Sequence, residues 1–280
     1  MNAAPLRLAT LLLAAALSAA GAQAGPLDVL QGLEDLGTGK HRWEGAIGMT
    51  VGYGPAYIGS NYYNVGLKPA LYLRYGRFSL STGAGFTTRR ADQVLRGLGV
   101  DVWSTDDLRV SLAARLDNGR SESSSPALTG MGDVEGTLRA RLSAQWRPAE
   151  GWLWVAAISV DALGRGQGTV GELSFSREVP LTNDTLFIWG GSLTLGDGTF
   201  MRSYYGVTAA QAANTGYPQY APSAGLRDLA LSIGLRSELA PDWVGYVNTG
   251  VSQSLGPLLD SPLVEQPLGW GVNAGLAWRF

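Results

Sequence analysis

The chain has few of the residues that build catalytic and metal sites. Its 280 residues include no cysteine and a single histidine, His41. The lack of cysteine excludes disulfides, thiolate nucleophiles and cysteine-ligated metals. We interpret His41, which precedes the first strand-like segment, as a solvated residue rather than a general base. The acidic residues are scattered singly, so we expect a non-enzymatic protein without a cofactor or metal, and a net charge of −2 gives no reason to expect a nucleic-acid partner.

Long apolar runs are also missing beyond the N-terminus. The longest, residues 152–160, is too short to cross about 30 Å of hydrocarbon as a helix. Residues 1–24 read as a signal peptide, because Arg7 precedes the apolar stretch 8–16 and a small-residue cleavage site ends at Ala24. We therefore expect an exported protein with a leader over 25–41 and one domain over 42–280.

The sequence instead shows a two-residue alternation almost everywhere after residue 42. In the last thirteen residues, 268–280, every second residue is aliphatic or aromatic, and those between are small or polar. This period is typical of strands, whose successive side chains point to opposite faces, and no comparable helical period is present. About twelve such segments occur, starting near residues 42, 65, 77, 94, 107, 136, 152, 168, 185, 227, 243 and 268.

The connections between these segments alternate between tight and long. The tight ones are 75–77, 104–107, 148–151, 181–184 and 240–242, and the long ones are 54–64, 87–93, 118–135, 163–167, 196–226 and 256–266. Short periplasmic turns and long external loops are the layout of an outer-membrane barrel. We predict an all-β, antiparallel, up-and-down transmembrane barrel of about twelve strands, with ten as the alternative count and both termini in the periplasm.

The two faces of the segments fit lipid outside and an aqueous lumen inside. Aromatic residues near the segment ends predict two girdles at the membrane boundaries; they are Trp43, Tyr53, Tyr75, Phe78, Phe86, Trp146, Trp152, Trp154, Trp243, Trp278 and Phe280. The inward set includes Arg109, Arg115, Arg139, Arg141 and Arg147. Two interpretations stay open: an anion-favouring lumen, or a structural network in which Asp101, Asp117 and Glu172 pair with the arginines.

Two local patterns favour structural roles. Gly166–Gly171 has the letters of a dinucleotide fingerprint, but it opens a strand rather than a helix, so we interpret it as a loop. Tyrosines crowd the long loops at 57–63, 203–207 and 217–220. Because water-exposed loops seldom leave so much ring surface uncovered, we expect these loops to fold inward over the lumen. The final strand, with Trp278 and Phe280, resembles the C-terminal signal read by the barrel assembly machinery.

Three segments resemble the MipA/OmpV family of outer-membrane proteins. The first is Tyr57-Ile-Gly59-Ser60-Asn-Tyr-Tyr63, with 69–75 and 78–83; the second is Ser203-Tyr204-Tyr205-Gly206-Val207, with Gln211 and Tyr220; the third is 258–264, containing Asp260-Ser261-Pro262. They follow the family order over nearly all of residues 42–280. The third departs from the family pattern, because a longer acidic Gly-Asp-Ala stretch before Asp260 is missing.

The resemblance implies a barrel that acts as a scaffold for murein synthesis, bridging a lytic transglycosylase and a bifunctional penicillin-binding protein. Some members of the family are described instead as porin-like proteins, adhesins or antigens. The resemblance also implies the outer membrane of a Gram-negative bacterium, where lipid and lipopolysaccharide surround the barrel. The residue pattern alone predicts a non-enzymatic outer-membrane barrel, and both the scaffold and the channel stay open.

Overall fold

A computed structural model describes residues 43–82 and 97–280, and these residues form a closed antiparallel barrel. Each strand pairs with its neighbours in sequence, and the first strand pairs with the last. The strands are β1 (Trp43–Pro55), β2 (Tyr63–Tyr75), β3 (Phe78–Ser81), β4 (Gly97–Ser104), β5 (Leu108–Asp117), β6 (Thr137–Trp146), β7 (Trp152–Asp161), β8 (Thr169–Pro180), β9 (Thr185–Gly196), β10 (Gly225–Ala240), β11 (Trp243–Ser254) and β12 (Leu268–Arg279).

The predicted fold class, strand count and alternation of connections are confirmed. Short turns at 76–77, 105–107, 147–151, 181–184 and 241–242 define the short-turn end of the barrel. The opposite, long-loop end carries the connections 56–62, 118–136, 162–168, 197–224 and 255–267. The signal peptide, the leader with His41, Phe86 and the predicted connection 87–93 lie outside the described residues.

The alternation of the sequence becomes an outer and an inner surface. On β12, Leu268, Trp270 and Val272 are exposed on the outside, whereas Asn273 faces the lumen. Closure of β1 on β12 pairs eight residues from Ala46↔Arg279 to Tyr53↔Val272. Gly48 lies where these two strands meet, and a Cβ there would come within 2.1 Å of the Leu276 carbonyl oxygen. The lack of a side chain at this position therefore permits the seam to form.

The aromatic residues form one dense belt rather than two equal girdles. Near the short-turn end, ring contacts join Trp43 to Tyr75, Trp152 to Trp189, Trp154 to Phe175 and Trp278 to Phe280. At the long-loop end, the described ring contacts on the outside join Tyr53, Tyr63 and Trp270 only. Aromatic residues therefore lie at both ends of the outer surface, as predicted, and their ring contacts are denser at the short-turn end.

Two short helices in the 197–224 connection were not predicted. They are α1 (Gly198–Tyr205) and α2 (Ala209–Thr215). Asp197 caps α1, and a capping box of Thr208 with Gln211 starts α2. Each spans about two turns, too short to be stable or periodic alone, so packing against the other loops must hold them. Among the described residues, neither these nor any other helix has the length and apolarity to cross a bilayer.

Candidate functional site

The long loops at one end of the barrel pack into a folded cap, which we call the lid. It comprises 56–62, 118–136, 197–224 and 255–267. Its first apolar cluster is formed by Leu128, Met131, Val207 and Leu263, and its second by Phe200, Met201, Tyr205 and Leu258. Tyr57 packs against both clusters. The loops have therefore folded over the barrel opening, as the sequence analysis predicted.

Side-chain hydrogen bonds join loops that are far apart in sequence. The Tyr57 hydroxyl donates to the Leu263 carbonyl at 2.8 Å, and the Ser261 hydroxyl donates to the Tyr205 carbonyl at 2.7 Å. Gln211 Nε2 donates to the Met131 carbonyl at 2.6 Å. These bonds use backbone acceptors that the short helices and turns leave unpaired. They hold the loops of the lid together as one folded unit.

The lid brings together most of the residues that carry the family resemblance. Members of all three segments lie there: Tyr57, Gly59 and Ser60; Tyr204, Tyr205 and Gly206; and Asp260, Ser261 and Pro262. The Gly59 carbonyl accepts from the backbone N–H groups of Glu265 and Gln266 at 2.8 and 2.9 Å. Tyr63 does not join them, because it begins β2 and contacts Tyr53 and Trp270 on the outside. Asp260 stays exposed.

Arg120 is a lid residue that sequence reasoning missed. It is only 7% exposed, and its guanidinium donates to the Tyr204 carbonyl at the C-terminal end of α1. A cation at that end of a helix compensates the unpaired carbonyls and the helix dipole. Burial lowers the pKa of Arg120, whereas the neighbouring Tyr57 and Tyr205 hydroxyls act in the opposite direction. Its position in a loop, outside the strand alternation, gave no signal of this role in the sequence.

The buried tyrosine hydroxyls of the lid are held in their neutral form. Burial, followed by the nearby Glu265 carboxylate, raises the pKa of Tyr57 to about 12. Burial is also the largest cause that raises the pKa of Tyr205 to about 12. An ionised phenolate would lose hydration in this apolar setting, so both hydroxyls stay neutral, and that of Tyr57 acts as a donor in the lid core.

Arg139 of β6 links the lid to the barrel wall. Its Nε donates to Asp117 Oδ2 at 2.6 Å, and its Nη2 donates to the Gln167 carbonyl and Oε1 at 3.2 and 3.1 Å. The Tyr204 hydroxyl donates to the same Gln167 Oε1 at 2.9 Å. The Arg139 guanidinium also lies 5.7 Å from the centre of the Phe200 ring. The Gly166–Gly171 pattern thus serves as a loop that contributes a lid anchor.

The inward charges form ion pairs along the wall. Arg141 pairs with Glu172 at 3.1 Å, and Asp101 accepts from Arg74 at 3.0 Å with Arg109 3.6 Å away. Together with Arg139 and Asp117, these distances support the structural network rather than the anion-favouring lumen. Inward-facing Arg115 also has an interaction partner. Arg147 leaves the lumen set, because it follows the last residue of β6 and lies in a turn.

The lumen changes in character with height. At mid-height, the inward residues Thr50, Ser232, Asn248 and Asn273 are partly exposed, so water reaches the interior there. Nearer the short-turn end the inward side chains are buried, and we call this level the floor. Its members include Ala46, Ala70, Tyr72, Ser111, Ser143, Gln145, Leu153, Val155, Leu186, Arg236, Val244 and Ala277. The lumen therefore has a water-accessible middle between a packed floor and the lid.

The short-turn end presents an acidic face. Its turns expose five carboxylates, on Asp106, Asp107, Glu150, Asp184 and Asp242. Within 43–82 and 97–280, no group of three or more potential ligands is placed to hold a metal ion. Arg77 is also exposed in these turns, and the five carboxylates leave the face with an excess of negative charge.

A protein-family model matches residues 47–280, and its description is MltA-interacting protein MipA. The chain belongs to this family. The match covers β2 to β12 and most of β1, so it includes both the lid and the short-turn face. No curated protein sequence matches the chain.

Solved outer-membrane proteins resemble the chain at low identity. The NanC porin is 10% identical, with 84% of this chain and 100% of that chain covered and a TM-score of 0.45. An anion-selective porin from Comamonas acidovorans is 10% identical, with 86% and 99% covered and a TM-score of 0.39. OmpT of Vibrio cholerae is 8% identical, with 86% and 97% covered and a TM-score of 0.36. The chain is a closed antiparallel barrel of the MipA family, and both statements stand on its own strand pairing and family match rather than on these distant structures.

Proposed function

We propose that the protein is a non-enzymatic outer-membrane scaffold that holds murein-synthesising and murein-cleaving enzymes at its short-turn face. The observation that carries this proposal is membership of a family described as MltA-interacting, over residues 47–280. The lack of cysteine and the single histidine support a role without catalysis. In the proposed orientation, the short turns and both termini lie in the periplasm, where murein enzymes can reach them.

The shape of the two ends supports placing the partners on the short-turn face. The loops of the lid cover the barrel. Most of their apolar and tyrosine side chains contact other lid residues, which leaves few of them for a partner. The short turns instead leave exposed carboxylates, including Asp106, Asp107 and Glu150. Turns of this size bury little area, so each contact should be weak or transient. We expect affinities of about micromolar rather than nanomolar strength.

Site-specific photocrosslinking in the bacterium tests the proposal. Photoreactive residues placed at Asp106, Glu150 and Asp242 should capture a lytic transglycosylase or a penicillin-binding protein. The same probe at exposed Ser123 in the lid should not capture either enzyme. Absence of murein enzymes from every short-turn crosslink would refute the scaffold proposal.

Charge reversal provides a second test with purified proteins. Asp106→Lys with Asp107→Lys should weaken binding of the captured enzyme by about tenfold at low salt, because rim charges steer association. The control is Glu135→Lys, which changes an exposed carboxylate at the opposite end. Equal affinity for wild type and both variants would show that the acidic face is not the contact.

The second candidate function is a channel for small solutes. It is favoured by the partial exposure of inward residues such as Asn248 and Asn273, which places water inside the barrel. The packed floor and the lid oppose a steady open pore. Planar-bilayer recording separates the two functions, because a scaffold should show little or no current and a channel a steady single-channel current.

A further inference from the structure

We propose that the outer surface of the barrel holds the headgroup of a zwitterionic phospholipid at Arg177, near the short-turn end. The Arg177 guanidinium binds the phosphate of the lipid, and the exposed Glu150 beside it binds the primary ammonium group of the same headgroup. The site lies on the lipid-facing side of β7, β8 and β9. It is separate from the lid and does not depend on the murein scaffold.

Arg177 carries a charge on a face that is otherwise uncharged. It pairs with Trp152 on β7 and with Trp189 on β9, which face outward, and Phe175 shares its face of β8. Among the described strands, the other outward-facing positions carry apolar, small or uncharged polar side chains, and Arg227, at the bulge of β10, turns towards the lid. A charge is costly where lipid is the solvent, so an isolated one on that face points to a bound partner.

The contacts of Arg177 place its guanidinium at the level of the membrane boundary. Its Nη1 donates to the Glu150 carbonyl in a short turn, and its central carbon lies 5.3 Å from the centre of the Trp152 ring. The Glu178 backbone N–H donates to the Gly151 carbonyl at 2.8 Å, which fastens the same turn to β8. A charge at this depth reaches the headgroups, whereas one near the midplane does not.

The guanidinium keeps N–H donors for a phosphate group. Arginine presents several donors in a planar fork that matches phosphate oxygens, and the Glu150 carbonyl accepts from one of them. The ion pairs of the described residues do not include Arg177, so no carboxylate of this part of the wall neutralises it. A lipid phosphate would supply the missing negative charge.

A cluster of aromatic rings lies beside Arg177, where the glycerol and upper acyl chains of the lipid would be. The Trp152 and Trp189 rings have centres 5.7 Å apart. Phe175 contacts Trp189 at 5.8 Å and Trp154 at 5.3 Å. Tryptophan favours the membrane boundary, because its ring body meets lipid and its N–H group can donate to an ester or phosphate oxygen. The cation therefore has an apolar rim suited to a lipid rather than to a free anion.

The surrounding charges favour a zwitterionic headgroup over an anionic one. Arg177 lies beside the aromatic rings, and the exposed Glu150 and Asp184 lie in the turns beyond it. In phosphoethanolamine the phosphate is likewise the deeper group, and the primary ammonium lies closer to water. The excess of negative charge on the short-turn face would repel a headgroup with a net negative charge. Charge complementarity therefore selects a phosphate and an ammonium together.

Native mass spectrometry of the folded protein in mild detergent tests the site. The protein is given equal amounts of phosphatidylethanolamine and phosphatidylglycerol with identical acyl chains, and the retained lipid is counted for each. The wild type should retain phosphatidylethanolamine at least about threefold better. Arg177→Gln should lower that retention about fivefold, because it removes a charge-assisted hydrogen bond. Arg177→Lys should lose less, because it keeps the positive charge.

Carboxylate variants separate the two halves of the headgroup. Glu150→Gln should reduce retention of phosphatidylethanolamine to the level of phosphatidylglycerol, because the ammonium loses its partner. Asp106→Asn is the matched control, since it removes a carboxylate from another turn of the same face and should keep the preference. Arg165→Gln removes an exposed arginine at the long-loop end and should change neither lipid.

The proposal is overturned if the wild type retains both lipids equally, because the headgroup would then not be selected. Unchanged retention in Arg177→Gln would place the lipid elsewhere on the barrel. An equal loss in Arg165→Gln would mean that total charge, rather than this site, controls retention. If Arg177→Gln fails to fold, Trp152→Leu removes the ring beside the guanidinium and should lower retention about threefold; unchanged retention in this variant would equally count against the site.

Discussion

Adjacent residues in this barrel meet different solvents, and Leu231 with Ser232 on β10 shows the contrast. Leu231 is 52% exposed on the outside, whereas Ser232 faces the water-accessible lumen. The sequence analysis would treat Ser143 like Ser232, because both have inward parity. The structure corrects that expectation, since Ser143 lies in the packed floor with 0% exposure. The alternation of the sequence predicts on which face a residue lies, but it does not predict whether other side chains fill the lumen next to that residue.

Arginine substitutions at Leu231 and at Ser232 should change the stability of the barrel by very different amounts. Leu231→Arg should lower the free energy of unfolding by about 2–4 kcal/mol, because it places a charge near the bilayer midplane. Ser232→Arg should cost much less, because its guanidinium enters water. Urea unfolding in liposomes measures both. Equal losses for the two variants would show that the outer and inner faces have been exchanged.

The buried tyrosines predict an alkaline limit for the lid. The pKa of Tyr57 and of Tyr205 is about 12 in the folded lid, and an exposed tyrosine ionises near 10. Both contributions to stability are therefore complete below about pH 10 and are lost as the pH rises toward 12. Protease cleavage within 197–224 should increase over that window, while the barrel itself stays folded. Cleavage that is already maximal at pH 9, or unchanged across the window, would contradict this account.

At the scale of elements, strands were predictable and the lid helices were not. The strands of this barrel are recognisable in the sequence because lipid requires an apolar side chain on the outer face at every second position. Helices α1 and α2 are short and lie in a loop that contacts other loops, so no long amphipathic period marks them. The local signals were capping residues, Asp197 before α1 and Thr208 with Gln211 at α2. Such signals become convincing only when a packing partner is known.

The last strand carries a prediction about assembly. Phe280 exchanges backbone hydrogen bonds with Gly45, both at 3.0 Å, and its ring lies 5.3 Å from that of Trp278. Deleting Phe280, or changing it to Asp, should lower insertion into the outer membrane, because the terminal aromatic resembles the signal that the assembly machinery reads. Quantitative blotting of the outer-membrane fraction measures the loss. Phe280→Tyr is the matched control, and normal insertion of the deletion variant would remove this role.

The whole molecule is held mainly by closure of the sheet. All twelve described strands are paired on both sides, so no strand edge is left for water or detergent to attack. We expect the unheated protein to stay folded in SDS and therefore to migrate differently in the gel from the boiled protein. Identical migration before and after boiling, with helical circular dichroism, would contradict the barrel.

The residues that carry the family resemblance and the proposed partner surface lie at opposite ends of the molecule. The residues that carry the resemblance, such as Tyr57, Tyr205 and Ser261, meet in the lid. The proposed murein partners would meet the short-turn face, with its exposed Asp106 and Asp107. Crosslinking at the short-turn face therefore tests the murein partners independently of the lid.

The sequence by itself determined the fold class, the approximate strand starts and the face of most strand residues; irregular pairing, as between Asp101 and Trp103, is where the alternation shifts. It did so because the two-residue period of a strand is local, and lipid imposes it on every strand alike. For the inward charges the sequence left two alternatives open, an ion-pair network and an anion-favouring lumen. It could not decide between them, because a pair such as Arg141 with Glu172 joins strands that are not adjacent in the sheet.

Only the tertiary structure decided how the lumen is filled and how the lid is built. Arg120 reaches Tyr204 across 84 residues, and Tyr57 reaches Leu263 across 206 residues. Such contacts leave no periodic trace, because each depends on where two distant loops happen to meet after the barrel has closed. The packed floor likewise follows from side-chain sizes summed over many strands, which no single segment of the sequence specifies.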